Sequence, residues 1–175
     1  MKSLIAIICI LGIVGMIIGI TVRAGNVVTC TVTPGAYSAS VSPTTVGYGS
    51  MTLNSTKASG TITATNDGTL TAKFLINGAN ATYSTYTWTL SPSIGTIDQY
   101  VHAYTTDLTE ASGTAIGTDY TTGWEDLLAT NSNLAASVAV SGTQTFQLDM
   151  RTPQSVSGGL GNQFSTTVTV TATQP

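Results

Sequence analysis

The sequence predicts an all-β fold, an antiparallel sandwich of about seven to nine strands preceded by an N-terminal hydrophobic helix. Short segments rich in Thr and Val alternate apolar and polar residues, which is the period of a half-buried strand. Gly, Pro, Asn and Asp separate these segments at intervals typical of Ig-like or jelly-roll sandwiches. Beyond the N-terminal segment no long helical pattern occurs, so the sheet of an α/β enzyme is excluded.

The composition of the 175-residue chain limits its chemistry. Charged residues make up 7% of it, against about a quarter in an average soluble protein. Five Lys and Arg and a net charge of -3 leave no electrostatic footprint for nucleic acid. One His and two Cys exclude a Cys/His zinc module and a disulfide framework. We therefore expect no cofactor and no bound metal cluster of that kind.

Residues 1–24 predict either a cleaved export signal or a retained hydrophobic helix. Leu4–Val22 is uncharged and mostly apolar, and the small residues Val22 and Ala24 suit cleavage after Ala24. Alternatively, the 19 residues of this segment span about 28 Å as a helix, nearly a bilayer core. Both alternatives place the rest of the chain outside the cell, with residues 25–38 as an N-terminal extension and residues 39–175 as the sandwich domain.

The first alternating segment is Val27–Thr33. One face carries Val28, Cys30 and Val32, and the other carries Thr29, Thr31 and Thr33. Pro34-Gly35 ends the segment. Cys30 is expected to be a small buried apolar side chain, and a disulfide between chains is the alternative.

The central strands follow in order. Ala39–Val41 and Tyr48–Leu53 are short extended candidates, and Ser59–Thr65 and Leu70–Ile76 flank the turn sequence Asn66-Asp67-Gly68. Because Asp-Gly tolerates positive φ, these last two segments predict a hairpin. In Tyr83–Leu90, the face that carries Trp88 predicts a large core side chain between two sheets.

The remaining strand candidates are Tyr100–Thr105, Gly142–Met150 and Phe164–Thr173. Gly123–Thr130 is the only helical candidate outside the N-terminal segment. Val27–Thr33 and Phe164–Thr173 are nearly free of the charges that protect sheet edges, so we expect them to pair with another chain.

Recognisable catalytic motifs are absent from the sequence. His102 is the only histidine, and neither a GxSxG nor an HExxH sequence accompanies it. Its place in a strand between two tyrosines predicts a packed or surface residue. We therefore predict that the protein is not an enzyme and has no catalytic residue.

Two other sets of residues are candidate sites. Six of the eight acidic residues are Asp98, Asp107, Glu110, Asp119, Glu125 and Asp126, which predict either a solvated loop or a calcium site. Asn54-Ser55-Thr56 and Asn80-Ala81-Thr82 are sequons, so Asn54 and Asn80 are possible N-glycosylation sites.

The order of segments from Val41 to Ala172 carries a family resemblance. SGTITATNDGTLTAKFLI, YTWTLSPSIG and the C-terminal TQTFQLDMRTPQSVSGGLGNQFSTTVTVTA resemble the exported sandwich subunits of prokaryotic surface fibres, namely camelysin-like biofilm-matrix fibre proteins and archaeal bundling pilins. The resemblance implies polymerisation by donor-strand complementation, with Val27, Val28, Thr29, Cys30, Thr31, Val32 and Thr33 as the donor strand.

The expected function is therefore a structural subunit of an extracellular, cell-surface filament, a homopolymer of this chain. Two alternatives stay open. One is a surface-anchored adhesin or carbohydrate-binding sandwich with an exposed aromatic row of Tyr83, Tyr86, Trp88, Tyr100 and Tyr104. The other is an assembly similar to archaeal type IV pilins, with Leu4–Val22 in the filament core. Other filaments and surface glycans are further candidate partners.

Overall fold

The computed structural model describes residues 31–93, 97–109 and 123–175. The chain divides into two units, Met1–Thr33 and Pro34–Pro175. Of the first unit only Thr31–Thr33 are described, and they are exposed and form no strand. The predicted N-terminal helix and residues 27–30 of the candidate donor strand lie outside the described residues. Within the described ranges, no helix has the length and apolar character needed to cross a membrane.

The described part of the second unit contains eleven strands and no helix. The strands are β1 (Ala39–Ser42), β2 (Thr56–Ala58), β3 (Ile62–Asn66), β4 (Ala72–Gly78), β5 (Ala81–Tyr83), β6 (Tyr86–Leu90), β7 (Gln99–Thr105), β8 (Glu125–Asp126), β9 (Ser132–Val138), β10 (Thr143–Arg151) and β11 (Val168–Thr173). The number exceeds the predicted seven to nine. The additional strands β2, β5 and β8 have only two or three residues each, too few to show an alternating pattern in the sequence.

These strands form two sheets. The larger has eight strands, with the path β1-β3-β10-β7-β6-β5, and β2 and β8 pair with β10 and β7 beside that path. The smaller has the order β11-β4-β9. The parallel pair β6–β7 is the exception among otherwise antiparallel ladders in the described residues.

One hydrophobic core joins the two sheets. Ile62 and Phe146 of the larger sheet and Phe74 and Ile76 of the smaller sheet belong to the same buried cluster. Each such side chain contributes about 1.5–3 kcal/mol by its burial. The all-β prediction is therefore confirmed, with two sheets that pack against each other.

The predicted hairpin of Ser59–Thr65 with Leu70–Ile76 is wrong. β3 pairs with β1 and β10, whereas β4 pairs with β11 and β9. The buried Asn66 explains the crossing, because its Nδ2 donates to the carbonyls of Leu70 and Val138 at 2.9 Å and of Ala139 at 3.2 Å. Asn66 thus fixes a turn that carries the chain from one sheet to the other.

The predicted helix at Gly123–Thr130 is also wrong. Glu125–Asp126 is a short strand on β7, and the Leu127 N–H donates to the carbonyl of His102 at 2.9 Å. Trp124 packs on Val101 and Ala103, on the face of the larger sheet opposite the main core. Pairing with β7 and burial of the indole outweigh the weak local preference for a helix.

Two further expectations fail near the edges of the sheets. Tyr48–Leu53 forms no strand, and Gly49 in this segment has φ of 67°, which an extended strand does not allow. Trp88 is half-buried and lies outside both core clusters. It stacks on Phe164, with ring centroids 3.9 Å apart and an interplanar angle of 14°.

Candidate functional site

An open groove separates two sheet edges. β1 is the last strand of the larger sheet and β11 is the last strand of the smaller sheet. The space between them, which we call the edge groove, has a volume of about 340 Å³. The three-stranded sheet is narrower than the larger sheet, and most of the residues at the base of the groove are nevertheless almost fully buried.

The walls and floor of the edge groove are mostly apolar. The floor consists of Ile62, His102, Phe146, Leu148 and Met150. One wall follows Val41, Pro43, Thr44, Thr45, Val46 and Tyr48, and the other follows Gln163, Phe164, Ser165, Thr166, Val168 and Val170. The groove therefore has a mostly apolar lining between the edges of two strands.

The β1 edge of the groove has backbone groups that β3 does not use. The Asp67 N–H donates to the Ser38 carbonyl at 3.1 Å. The backbone N–H and C=O groups of Ser38, and of every second residue after it, therefore point toward β3. By the alternation of an antiparallel ladder, Ala39 and Val41 direct their N–H and C=O groups away from β3. These two residues also turn their half-buried side chains toward the core.

The β11 edge has the same arrangement. The Gly78 N–H donates to Leu128 on the β9 side at 2.8 Å, so the alternate residue Asn77 faces its partner Thr169 on β11. Val168 and Val170 consequently direct their backbone groups away from β4. The edge groove is thus bordered on both sides by strand edges that pair with no other strand among the described residues.

At one end the groove widens into a second cavity of about 590 Å³. Tyr48, Met150 and Phe164 line both cavities, and Trp88 lines the second. Beside it, the Tyr86 ring lies so close to Gly158 that a Cβ there would clash with Tyr86 Cε1. Only glycine at residue 158 permits this approach of the aromatic ring.

One hydrogen-bonded polar pair joins a wall of the edge groove to its floor. The Tyr48 hydroxyl lies 2.9 Å from His102 Nε2, and Lys57 Nζ donates to the Tyr48 carbonyl at 2.6 Å. Burial lowers the pKa of His102 from 6.5 to about 4, and burial also raises the pKa of Tyr48. Both groups are therefore neutral near pH 7, so the floor presents no charge to an apolar segment.

Behind the groove floor lies a buried carboxyl group. Asp149 is completely inaccessible to solvent, and neither of its carboxylate oxygens accepts a hydrogen bond of normal geometry from the described residues, although the Met150 N–H lies close enough to act on the charge. Its neighbours in the ladder are Ala58 and Ala103, on which Trp124 packs. Burial raises the pKa of Asp149 to about 7, and the backbone N–H of Met150 acts in the opposite direction.

The acidic residues do not gather into a site in the part of the chain that is described. No three His, Cys, Asp or Glu residues there are placed to hold a metal ion. Asp107 accepts hydrogen bonds from the backbone and side chain of Thr109, at 3.0 and 2.6 Å, which lower its pKa. Glu110 and Asp119 lie outside the described residues, so the calcium hypothesis stays untested.

Both sequon asparagines are exposed, and each has its side-chain oxygen engaged. Asn54 Oδ1 accepts from Arg151 Nη2 at 2.8 Å, and Asn80 Oδ1 accepts from the Leu90 N–H at 2.9 Å. A glycan would attach at Nδ2, and these two contacts engage only the Oδ1 atom of each amide. Glycosylation of Asn54 and Asn80 stays a prediction.

The proposed aromatic row exists only in part. Tyr83, Tyr86 and Trp88 lie near one another around Phe164. Tyr100 and Tyr104 are buried in β7 and cannot belong to an exposed row. The expectation failed for β7 because this strand is covered on both faces, by the main core and by the cluster around Trp124.

Sequence reasoning missed much of the edge groove. Val46 and Gln163 lie in segments without strand alternation, and Tyr48 begins a segment that the sequence predicts as extended but that forms no strand. The one usable signal is in the C-terminal segment, where Phe164, Thr166, Val168, Val170 and Ala172 are half-buried and alternate with exposed residues.

The described residues form an all-β domain of two packed sheets, with a groove lined mostly by apolar side chains between β1 and β11. No family model, no curated protein and no solved structure matches it.

Proposed function

We propose that the protein is a structural subunit of an extracellular filament, in which Val27–Thr33 of one copy occupies the edge groove of the next. The observation that carries this proposal is the apolar groove between two strand edges that have no other neighbour in the described part of the chain. Strand addition to such an edge joins chains by backbone hydrogen bonds, and pockets for alternate side chains provide specificity.

The candidate donor matches the groove in pattern. Val28, Cys30 and Val32 alternate with threonines, so one side of the strand suits the apolar floor and the other suits solvent. Val32 is 89% exposed, which leaves its apolar surface available for burial. Each buried side chain of this size contributes about 1.5–3 kcal/mol, and the backbone edges add hydrogen bonds along the strand.

The rest of the assembly follows from this arrangement. Residues 1–24 direct export, the two packed sheets form a sandwich of the Ig-like or jelly-roll type, and the homopolymer lies at the cell surface. An assembly with Leu4–Val22 in the filament core is the alternative. The aromatic group at the wide end of the groove favours a second function, adhesion to surface glycans or to other filaments, because Tyr83 and Tyr86 are exposed there.

The proposal predicts that charges on the apolar side of the donor strand prevent assembly, whereas charges on its threonine side do not. In the variant Val28→Asp with Val32→Asp, two carboxylates would enter the apolar floor, where an unpaired charge is strongly disfavoured. We expect the exported protein to remain monomeric in sedimentation and to form no fibres in negative-stain electron microscopy.

The matched control is Thr29→Asp with Thr31→Asp, which places the same charge on the solvent side of the same strand. We expect this variant to assemble like the wild type. Fibres formed equally well by both variants would show that Val27–Thr33 is not inserted in this way.

A further inference from the structure

We propose that residues 123–126, which we call the strap, are a proton-controlled cover of Asp149. The strap closes over the protonated carboxyl group and opens to admit water when the group is ionised. It contains Trp124 and the strand β8, and Trp124 packs on the face of the larger sheet opposite the main core. The movement of the strap is therefore independent of the proposed insertion of a strand into the edge groove.

The register of the strands places the Asp149 carboxyl group inside an apolar cluster. Asp149 pairs with Ala58 of β2 on one side and with Ala103 of β7 on the other, so these three side chains share one face of the sheet. On that face Trp124 is buried with Val101 and Ala103, and Ala58 packs against them. The carboxyl group thus lies between two members of the cluster that the indole covers.

Buried polar atoms without hydrogen-bond partners collect at this place. In the described ranges five buried side-chain polar atoms have no such partner, and three of them are the carboxylate oxygens of Asp149 and Nε1 of Trp124. Polar atoms buried in this way cost free energy, and an unpaired charge costs far more. Water admitted under the strap would hydrogen-bond to all three atoms, so ionisation of Asp149 favours the open arrangement.

The strap is a short element with an anchored end. β8 pairs with β7 through only two residue pairs. Directly after the strap, Leu127 is fully buried in the main core, and its N–H donates to the His102 carbonyl at 2.9 Å. At the other end Gly123 has φ of 75°, a conformation that glycine adopts without strain. The strap can therefore leave the sheet while Leu127 keeps its place in the core.

The charged and titratable groups around Asp149 lie on both faces of the sheet. On its own face, Asp126 is two strand spacings away, about 10 Å, and Arg151 follows two residues later on β10, with its Nη2 donating to Asn54 Oδ1 at 2.8 Å. The groups on the opposite face are Tyr48, Lys57, His102, Tyr104 and Glu125. Burial is the cause that raises the pKa of Asp149 to about 7, so access to water would return the pKa toward its ordinary value.

Opening of the strap should release one proton. Between the ordinary pKa of 3.8 and the closed-state pKa of about 7, the open form is ionised and the closed form is protonated. The equilibrium constant for opening should therefore rise about tenfold for each pH unit in this interval and level off above it. Protonation of Glu125, which accepts a hydrogen bond from the Tyr104 hydroxyl at 2.6 Å, would loosen the strap in the opposite direction of pH.

Backbone hydrogen exchange of the exported protein, followed by mass spectrometry, measures this opening constant. Each rate is divided by that of an unstructured chain at the same pH, which gives a protection factor. We expect the protection factor of residues 124–127 to fall about tenfold per pH unit from about pH 5 to about pH 7. It should also be at least about tenfold lower than that of β4, because local opening needs less free energy than unfolding of the domain.

Asp149→Asn is the decisive variant, since its amide cannot ionise, and its strap protection should not change with pH over the same range. Asp107→Asn makes the same chemical change at an exposed carboxyl group and should keep the wild-type dependence. The proposal is overturned if Asp149→Asn retains the wild-type pH dependence, or if strap and β4 exchange equally, because the carboxyl group would then reach water only by global unfolding. Neither result bears on assembly of the protein.

Discussion

Substitution of Asp149 by Asn should stabilise the protein by about 2–4 kcal/mol at about pH 8, as measured by urea unfolding. The upper limit follows from the shift of the Asp149 pKa from 3.8 to about 7, since each unit corresponds to about 1.4 kcal/mol. Relaxation of the site around the charge brings the expected value below that limit. The amide of Asn has nearly the shape of the carboxyl group and carries no charge.

The stability difference between Asp149→Asn and the wild type depends on pH. The folded-state pKa of Asp149 lies above its unfolded value, so its contribution to stability is full below about pH 4 and is lost as the pH rises through about 7. His102 acts oppositely, because its lowered pKa costs stability as the pH falls from about 6.5 to about 4. The gap between Asp149→Asn and the wild type should therefore close near pH 4, since His102 is common to both.

The exposed carboxyl group of Asp107 supplies the matched control. Asp107 is fully accessible, and hydrogen bonds from Thr109 lower its pKa. Asp107→Asn should therefore not stabilise the protein at any pH. A variant Asp149→Asn that is less stable than the wild type at about pH 8 would mean that the carboxylate has a stabilising partner.

Substitution of Asn66 by Asp should cost about 3 kcal/mol or more. The Nδ2 of Asn66 donates to three backbone carbonyls, and its Oδ1 accepts from the Gly68 N–H at 3.0 Å. A carboxylate cannot donate, so the carbonyls of Leu70, Val138 and Ala139 would lose their hydrogen bonds from Nδ2 and would face a negative charge. The expected measurement is a lower midpoint of chemical unfolding with an unchanged slope.

Asn77→Asp is the control for the Asn66 substitution. It makes the same chemical change at a half-buried side chain, whose Nδ2 donates to Asn131 Oδ1 at 2.7 Å in an exposed pair. We expect a loss below about 1 kcal/mol there. Similar losses at both positions would show that the crossing between the sheets does not depend on the Asn66 side chain.

The strands that the sequence predicts well are those whose alternation matches one covered face. β3, β4 and β10 lie within predicted strand segments and bury Ile62, Phe74 and Phe146 in the core. β11 also follows its predicted alternation. Local periodicity is sufficient for these strands because each has a single core-facing side.

The pairing of strands was less predictable than their positions. Asp67-Gly68 looks like a hairpin turn in the sequence, but the side chain of Asn66 redirects the chain to the other sheet. The residues of a turn do not determine which distant strand will pair with the strand that follows the turn. The same limit applies to Trp88, whose position depends on Phe164, far along the chain.

The sequence does not predict the edge groove. It does predict that the chain has strand edges that need a partner. Low charge on the end segments predicts exposed edges. The groove, however, combines β1, the irregular segment after Pro43, and the residues before β11. These pieces have no common pattern, and only the folded arrangement of the two sheets brings them together.

A disulfide scan between Cys30 and the C-terminal segment tests the central claim most directly. In chains with Cys9→Ser, single cysteines are placed at the inward positions Thr166, Val168 and Val170 and at the outward positions Thr167 and Thr169. Side chains opposite each other on neighbouring strands are close enough for a disulfide bond. Non-reducing gels and mass spectrometry of assembled material then report the pairs formed with Cys30 of another copy.

We expect disulfides between copies at one or two adjacent inward positions and none at the outward positions, because the inserted strand presents Cys30 on the same side as Val168. No disulfide at any inward position in assembled material, or equal yields at inward and outward positions, would contradict insertion of Val27–Thr33 into the edge groove.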